Sequence, residues 1–366
     1  MFGNIYRGRR VLVTGHTGFK GSWLAAWLLE LGAEVAGYSD GVPTTPSHFA
    51  AAGLQERITH VVGDVRDRAC LQTAFDAFKP ELVFHLAAQA LVRRSYDEPA
   101  LTFETNALGT MNLLECVRQR PSVRAAVLIT SDKAYRNVEW VWGYRETDPL
   151  GGDDPYSGSK AAAEMIAHAY ARSFFLPSSN LAAIATTRAG NVIGGGDWAP
   201  DRIVPDCIRA WAERRPVVIR HPRATRPWQH VLEPLSGYLT LGMHLWRRDQ
   251  AAMGSAYNFG PDSTVDHPVQ NLIECLGRFW PGSAWTLDPA GLAGRPEATL
   301  LKLSCDRAQA ELQWRAALRF DECVRLTGEW YRRYYDDPQA AAACTRKQIE
   351  EYTSLADSRQ LPWSRP

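Results

Sequence analysis

The chain has 366 residues, with 41 Lys and Arg against 40 Asp and Glu, a formal charge of +1; it carries no basic field for nucleic acid or an anionic membrane, and any anion site must be local. Its length suits one large α/β domain plus a smaller partner. The seven cysteines, odd in number and never spaced as a metal pair or redox dithiol, predict reduced thiols, no metal and a cytoplasmic protein, and the absence of an apolar leader or membrane-length apolar run argues against secretion and membrane insertion.

From residue 10 to about 191, runs rich in Val, Leu and Ile alternate with amphipathic stretches, the pattern of βα units building a parallel sheet. A strand predicted at 11–14 leads into Thr14-Gly15-His16-Thr17-Gly18-Phe19-Lys20-Gly21. A helix follows, on which Phe19, Trp23, Leu24, Trp27, Leu28 and Leu31 recur at helical spacing, with Gly32 as its C-terminal stop. Three glycines at three-residue intervals between strand and helix let backbone approach a pyrophosphate closely. Gly15, Thr17, Gly18 and Phe19 are therefore candidate dinucleotide contacts. Lys20 reads equally as a phosphate cation or an exposed helix-start lysine, and is left out of the site.

The next predicted strand, 34–38, is followed by Asp40, which reads as a ribose-diol acceptor or as part of a plain Asp-Gly turn. No arginine stands beside it to receive a 2′-phosphate, which favours NAD over NADP. Strands at 60–65 and 82–86 end in Gly63-Asp64-Val65 and Leu86-Ala87-Ala88-Gln89, at the sheet edge where ligands bind. Asp64 reads as an adenine contact, a turn carboxylate or a helix N-cap. Val65, Leu86, Ala87 and Ala88 complete the predicted cofactor wall.

Helices at 100–118 and 156–174 carry enough apolar surface to cover the sheet and also to meet a second subunit, so a homodimer or homotetramer is expected. Between them a strand at 125–131 ends in Thr130-Ser131-Asp132-Lys133, which could surround a substrate with a hydroxyl, a carboxylate and an amine, or could be a solvated strand end. The later helix opens on Tyr156-Ser157-Gly158-Ser159-Lys160, where tyrosine and lysine four apart share one face. A phenol of pKa about 10 needs nearby positive charge to work as a base near neutrality, and Lys160 can supply it. After 191, Gly- and Pro-rich loops mark a smaller lobe. The expected division is 1–190 for the cofactor domain with 229–262 returning to it, 191–228 and 263–335 for the smaller lobe, and 336–366 as a peripheral helix and tail.

With the glycine turn and the Tyr/Lys pair in view, residues 10 to 331 resemble the extended short-chain dehydrogenases, and within them the dehydratases acting on CDP-glucose. The resemblance is carried by TGHTGFKG at Thr14, LAAQALVRRSY at Leu86, TNALGTMNLLE at Thr105, TSDKAY at Thr130 and YSGSK at Tyr156. It continues through GNVIGGGDW at Gly190, DRIVPD at Asp201, RPWQHVLEPLSGYL at Arg226 and NFGP at Asn258. The first of these and YSGSK mark only the superfamily. TSDK, GGGDW and RPWQHVLEP are narrower, since dTDP-glucose relatives usually carry Thr-Asp-Glu where this chain has Ser131-Asp132-Lys133.

The resemblance implies a Rossmann-type, doubly wound parallel sheet with a smaller nucleotide-sugar lobe, NAD as cofactor and CDP-glucose as substrate. It implies that Tyr156 takes the proton of the sugar 4-hydroxyl, Ser131 hydrogen-bonds that oxygen and Lys160 holds the cofactor ribose. Lys133 becomes the base at carbon 5 and Asp132 the acid at the 6-hydroxyl. Asn191, Arg202, Arg226 and Arg295 would meet the nucleotide diphosphate, with an intraprotein salt bridge as each arginine's alternative. The chain departs from the pattern late, at Asp306-Arg307-Ala308, and at Leu312-Gln313-Trp314 where Leu-Gly-Trp is expected. A related epimerase and a non-catalytic dinucleotide sensor are the competing readings.

Overall fold

A computed structural model describes residues 1–262, 266–288 and 300–365. Seven strands form one parallel sheet: β1 (Arg10–Thr14), β2 (Glu34–Ser39), β3 (Thr59–Val62), β4 (Leu82–His85), β5 (Ala125–Ile129), β6 (Ala183–Ala189) and β7 (Ala256–Phe259). Their order is β7-β6-β5-β4-β1-β2-β3, so the winding reverses between β1 and β4 and opens a crevice at the carboxyl ends of those strands. β1, β4, β5 and β6 are buried almost throughout, which is why they read as continuous apolar runs. Two expected strands end early. β3 stops at Val62 because Gly63 turns against the Tyr38 ring, where a Cβ would lie 2.5 Å from the hydroxyl. β5 stops at Ile129 because Ser131 begins the 3-10 turn Asp132–Ala134.

Helices cover both faces. On one side Phe19–Glu30 and Leu232–Trp246 bury Trp23, Trp27, Leu235 and Leu239; on the other, Arg68–Phe78, Gly109–Arg118 and Pro155–Tyr170 bury Leu71, Phe75, Leu113, Leu114 and Ala167. The helix expected at 100–118 consists of Pro99–Phe103, a π-turn at Glu104–Leu108 and Gly109–Arg118. Beyond β6 the chain builds the helix Ile203–Ala212 and short strand pairs, Val217–Ile219 with Trp285–Leu287 and Thr225–Arg226 with His267–Pro268. Leu232–Trp246 then packs on the sheet and β7 pairs with β6.

The C-terminal segment, expected to be peripheral, is part of the core. Its helix Ala341–Ser358 packs against Phe19–Glu30 and Phe320–Asp336. Trp363, 2% exposed, stacks on Phe2 at 5.2 Å and on Tyr352 at 5.6 Å. All seven cysteines are unpaired. Among the described residues no helix is long and apolar enough to cross a membrane.

Candidate active site

The glycine turn closes the carboxyl end of β1. Gly15 has a φ of +71°, and a Cβ there would lie 2.6 Å from the Ala87 nitrogen; one on Gly21 would lie 2.1 Å from the Gly15 carbonyl oxygen. Only glycine fits at either place. Gly18 caps the helix Phe19–Glu30 without a side-chain bond to its first-turn amides, so those N–H groups and the helix dipole suit an anion. Thr17 ties the turn to the end of β2, its Oγ1 donating to the Gly41 carbonyl at 2.6 Å and lying 2.8 Å from Ser39 Oγ. Leu86 N donates to the Thr14 carbonyl at 3.1 Å and Ala87 N to Thr14 Oγ1 at 3.2 Å, which draws the Leu86-Ala87-Ala88 segment against the turn. A cradle lined by backbone where no Cβ fits, facing an uncapped helix start, fits a dinucleotide pyrophosphate.

Asp64 is engaged locally by Arg66. Its Oδ1 accepts the Arg66 backbone N–H at 2.8 Å, and its Oδ2 accepts Arg66 Nε at 2.8 Å and Nη2 at 2.5 Å. Arg66, two residues away, bonds both oxygens, as a turn carboxylate would have it, and the helix N-cap is Asp67 instead. Val65 is buried beside Gly109, and Asp40 is exposed after β2.

Tyr156 and Lys160 enter on the helix Pro155–Tyr170, which starts cleanly because Asp154 Oδ1 accepts Ser157 N at 2.9 Å and Pro155 occupies the first turn. Both side chains are buried. Burial raises the Tyr156 phenol above its ordinary range, and the neighbouring Asp132 adds to the rise, while the Ser131 hydroxyl and Arg202 guanidinium oppose it. Burial, reinforced by Lys20 and opposed by Glu164, lowers Lys160 to about 8.

The 3-10 turn after β5 presents the other three candidates. Ser131 Oγ donates to Asp132 Oδ1 at 2.9 Å and accepts Lys133 N at 3.3 Å. Burial raises the Asp132 carboxyl against the opposing pull of Lys133, Ser131 and Lys20, which suits a carboxylic acid that donates a proton. Gly190 lies against it, leaving only 3.0 Å between a Cβ and Asp132 Oδ2. The five predicted catalytic residues thus converge at the carboxyl edge of β5, with Lys133 half-buried among them.

Two further residues stand beside this set. Lys20 is half-buried, its Nζ 3.4 Å from the Tyr238 hydroxyl; burial lowers it to about 8, with Asp132 opposing and Arg202 contributing. Of the two readings open for Lys20, an exposed helix-start lysine does not fit its half-buried position. Asn106, on the π-turn, accepts Gln89 N at 2.8 Å and donates to the Gln89 carbonyl at 3.1 Å and to Ser159 Oγ at 2.8 Å; Ser159 in turn donates to the Tyr156 carbonyl at 2.7 Å. It joins the loop after β4 to the helix of Tyr156 and Lys160. The only signal in the sequence was the placement of Lys20 within the glycine turn and of Asn106 within TNALGT.

The expected diphosphate residues are less uniform. Arg202 is ion-paired to Asp197 at 2.8 Å, the alternative considered for it, and also stands close enough to act on Tyr156 and Lys20. Arg226 Nη1 donates to the Thr225 carbonyl at 2.8 Å on the short strand pair. The Asn191 carbonyl accepts Gln229 N at 3.1 Å where β6 leads into the smaller lobe. Arg295 lies outside the described residues.

The fold and this site define a nucleotide-sugar-modifying member of the extended short-chain dehydrogenase group. Residues 12–271 match the GDP-mannose 4,6 dehydratase family model, and the chain belongs to that family. It is 44% identical over 355 residues, 96% of this chain and 98% of the relative, to a CDP-glucose 4,6-dehydratase of Salmonella typhimurium. A probable dTDP-glucose 4,6-dehydratase of Sinorhizobium fredii is 27% identical, covering 88% of this chain and 92% of its own. Among solved structures, a UDP-glucose 4-epimerase of Thermus thermophilus in complex with NAD superposes with a TM-score of 0.75 at 28% identity, covering 88% of this chain and 99% of that one.

Proposed function

We propose that the chain converts CDP-glucose to CDP-4-dehydro-6-deoxyglucose and water with NAD as its cofactor. The observation that carries this reading is the gathering of Ser131, Asp132 and Lys133 beside Tyr156, a set larger than a simple dehydrogenation or epimerisation needs. The 44% identity to a CDP-glucose 4,6-dehydratase supports the substrate. When bound, NAD supplies a hydride acceptor at sugar carbon 4 that is also the donor for carbon 6. Gly15, Thr17, Gly18, Phe19, Val65, Leu86, Ala87 and Ala88 would hold it, with Lys160 at the ribose.

Tyr156 Oη takes the proton of the 4-hydroxyl as that carbon becomes a ketone, and Ser131 Oγ donates to the same oxygen. The ketone acidifies the hydrogen on carbon 5. Lys133 Nζ removes it, and the Asp132 carboxyl protonates the departing 6-hydroxyl, so that water leaves. Burial of Tyr156 and Asp132 keeps bulk water from these transfers. Asn191, Arg202, Arg226 and Arg295 hold the diphosphate.

We assign cofactor binding to 1–190 with 229–262, and nucleotide-sugar binding to 191–228 and 263–335. Phe103, Leu108, Met165 and Phe174 stand exposed on the helices expected to meet a second subunit, which supports a homodimer. The seven unpaired thiols support a reducing, cytoplasmic setting.

CDP-glucose deuterated at carbon 4, incubated with the enzyme and NAD, is expected to lose one water and carry its deuterium to carbon 6 without net formation of NADH. Stoichiometric NADH, or a carbon-4 epimer with no loss of water, overturns the assignment.

A further inference from the structure

One turn beyond Lys160, Glu164 lies 4% exposed and is fully engaged. Its Oε1 accepts Thr130 Oγ1 at 2.5 Å and Arg188 Nε at 2.8 Å; its Oε2 accepts Thr186 Oγ1 at 2.7 Å and Arg188 Nη2 at 3.1 Å. Arg188, on β6, uses its remaining arm on the far side of the catalytic turn. Its Nη1 donates to the Tyr135 hydroxyl at 2.7 Å, with the guanidinium 4.7 Å from the centre of that ring. The Tyr135 hydroxyl passes the chain on, donating to Asn258 Oδ1 on β7 at 2.9 Å.

Thr130 is the residue immediately before Ser131-Asp132-Lys133, and Tyr135 follows that turn by two. We propose that the buried Glu164–Arg188 ion pair is a positioning device, which grips the Ser131-Asp132-Lys133 turn at both ends and sets it against the helix bearing Tyr156 and Lys160. The work assigned to that turn rests on the function proposed above. An ion pair taken out of water contributes little stability beyond what apolar side chains of the same volume would give. What it contributes here is geometry. Two rigid bidentate partners with every lone pair used allow one arrangement of β5, β6 and the helix Pro155–Tyr170. A displacement of the turn by a fraction of its width would separate Lys133 and Asp132 from Tyr156.

Thr130→Val and Tyr135→Phe each delete one oxygen at one end of the grip and leave the ion pair in place. Hydrogen exchange of the peptide spanning 130–135 is measured in the NAD-loaded protein, together with kcat, KM and melting temperature. The expected result is faster exchange in that peptide and a kcat reduced by up to about 100-fold, with KM within about twofold of the parent. A variant that melts earlier but keeps parental exchange and parental kcat makes the ion pair a structural contact only, and overturns the proposal. Faster exchange in variants of a parent that does not dehydrate CDP-glucose supports the grip and overturns the proposed function instead.

Discussion

Tyr156 and Lys133 are each assigned one proton abstraction in the proposed mechanism. The phenol is buried, and burial beside Asp132 makes its ionisation costly, so it takes a proton well only while the opposing Ser131 hydroxyl and Arg202 charge are in place. Lys133 is assigned the other proton transfer, removal of the hydrogen on carbon 5. On that mechanism the two residues serve different halves of one reaction, and paired variants separate them. Tyr156→Phe keeps ring volume and is expected to leave folding and NAD affinity unchanged while lowering kcat by roughly 100-fold or more. Lys133→Met is expected to retain oxidation at carbon 4 while losing both elimination of water and exchange of the carbon-5 hydrogen in heavy water. Product analysis in deuterated solvent reads both. A Met variant that dehydrates at the parent rate reduces Lys133 to an electrostatic neighbour and sends the search for the base elsewhere.

At the scale of elements, the helix Asp306–Leu312 ends on Gln313, whose φ is +54°, at the place where the family pattern carries glycine. A left-handed conformation costs a residue with a side chain about 1–2 kcal/mol, while glycine gives back about 0.5–1 kcal/mol through its greater unfolded-state freedom. Gln313→Gly is therefore expected to stabilise the protein by about 0.5–1 kcal/mol, read as a rise in urea midpoint with unchanged kcat. A lower midpoint would mean that the Gln313 side chain makes a contact worth more than the strain. This site was visible in the sequence only as a departure from a pattern. The βα units were legible because most of their strands are buried on both faces, and the glycine turn was legible because its spacing dictates its geometry. Lys20 was not, since its direction depends on Tyr238, 218 positions later. Glu164 read as one more polar helix position, because its partners are distant in sequence, Thr130 just past the end of β5 and Thr186 and Arg188 on β6. The C-terminal helix was misjudged for the same reason: its buried positions, Ile349, Tyr352 and Ala356, are sparse in a polar stretch, and the surfaces they fill belong to the opposite end of the chain.

Over the whole molecule, four buried histidines contribute to how stability responds to pH. His48 links three parts of the chain, its Nδ1 lying 2.9 Å from Ser22 Oγ and its Nε2 3.0 Å from Thr345 Oγ1, with the ring stacked on Trp23 at 4.7 Å. His85 spans Thr14 and Thr110. Burial lowers His48, His85 and His230 to about 3, and burial with the neighbouring His60 lowers His16 to about 4. In the unfolded chain these imidazoles take up protons near 6.5. Their contribution to stability is therefore complete above 6.5 and is lost as pH falls towards the folded values. Glu233 acts in the opposite sense. Burial raises it to about 7, despite bonds from the Ala317 and Leu318 amides and the Tyr352 hydroxyl, so its contribution is complete below the unfolded value near 4.5 and is lost as pH rises through 7. Asp132, Glu146 and Asp206, which burial also raises, act in the same sense as Glu233; each unit of separation between folded and unfolded values is worth about 1.4 kcal/mol. The protein is expected to be less stable at pH 5 than at pH 7. Urea unfolding at the two pH values measures the difference, and His48→Gln should reduce the slope by removing one titrating group while keeping hydrogen-bonding capacity towards Ser22 and Thr345. Equal or greater stability at pH 5 would mean that the imidazoles reach solvent often enough in the native state to take up protons there.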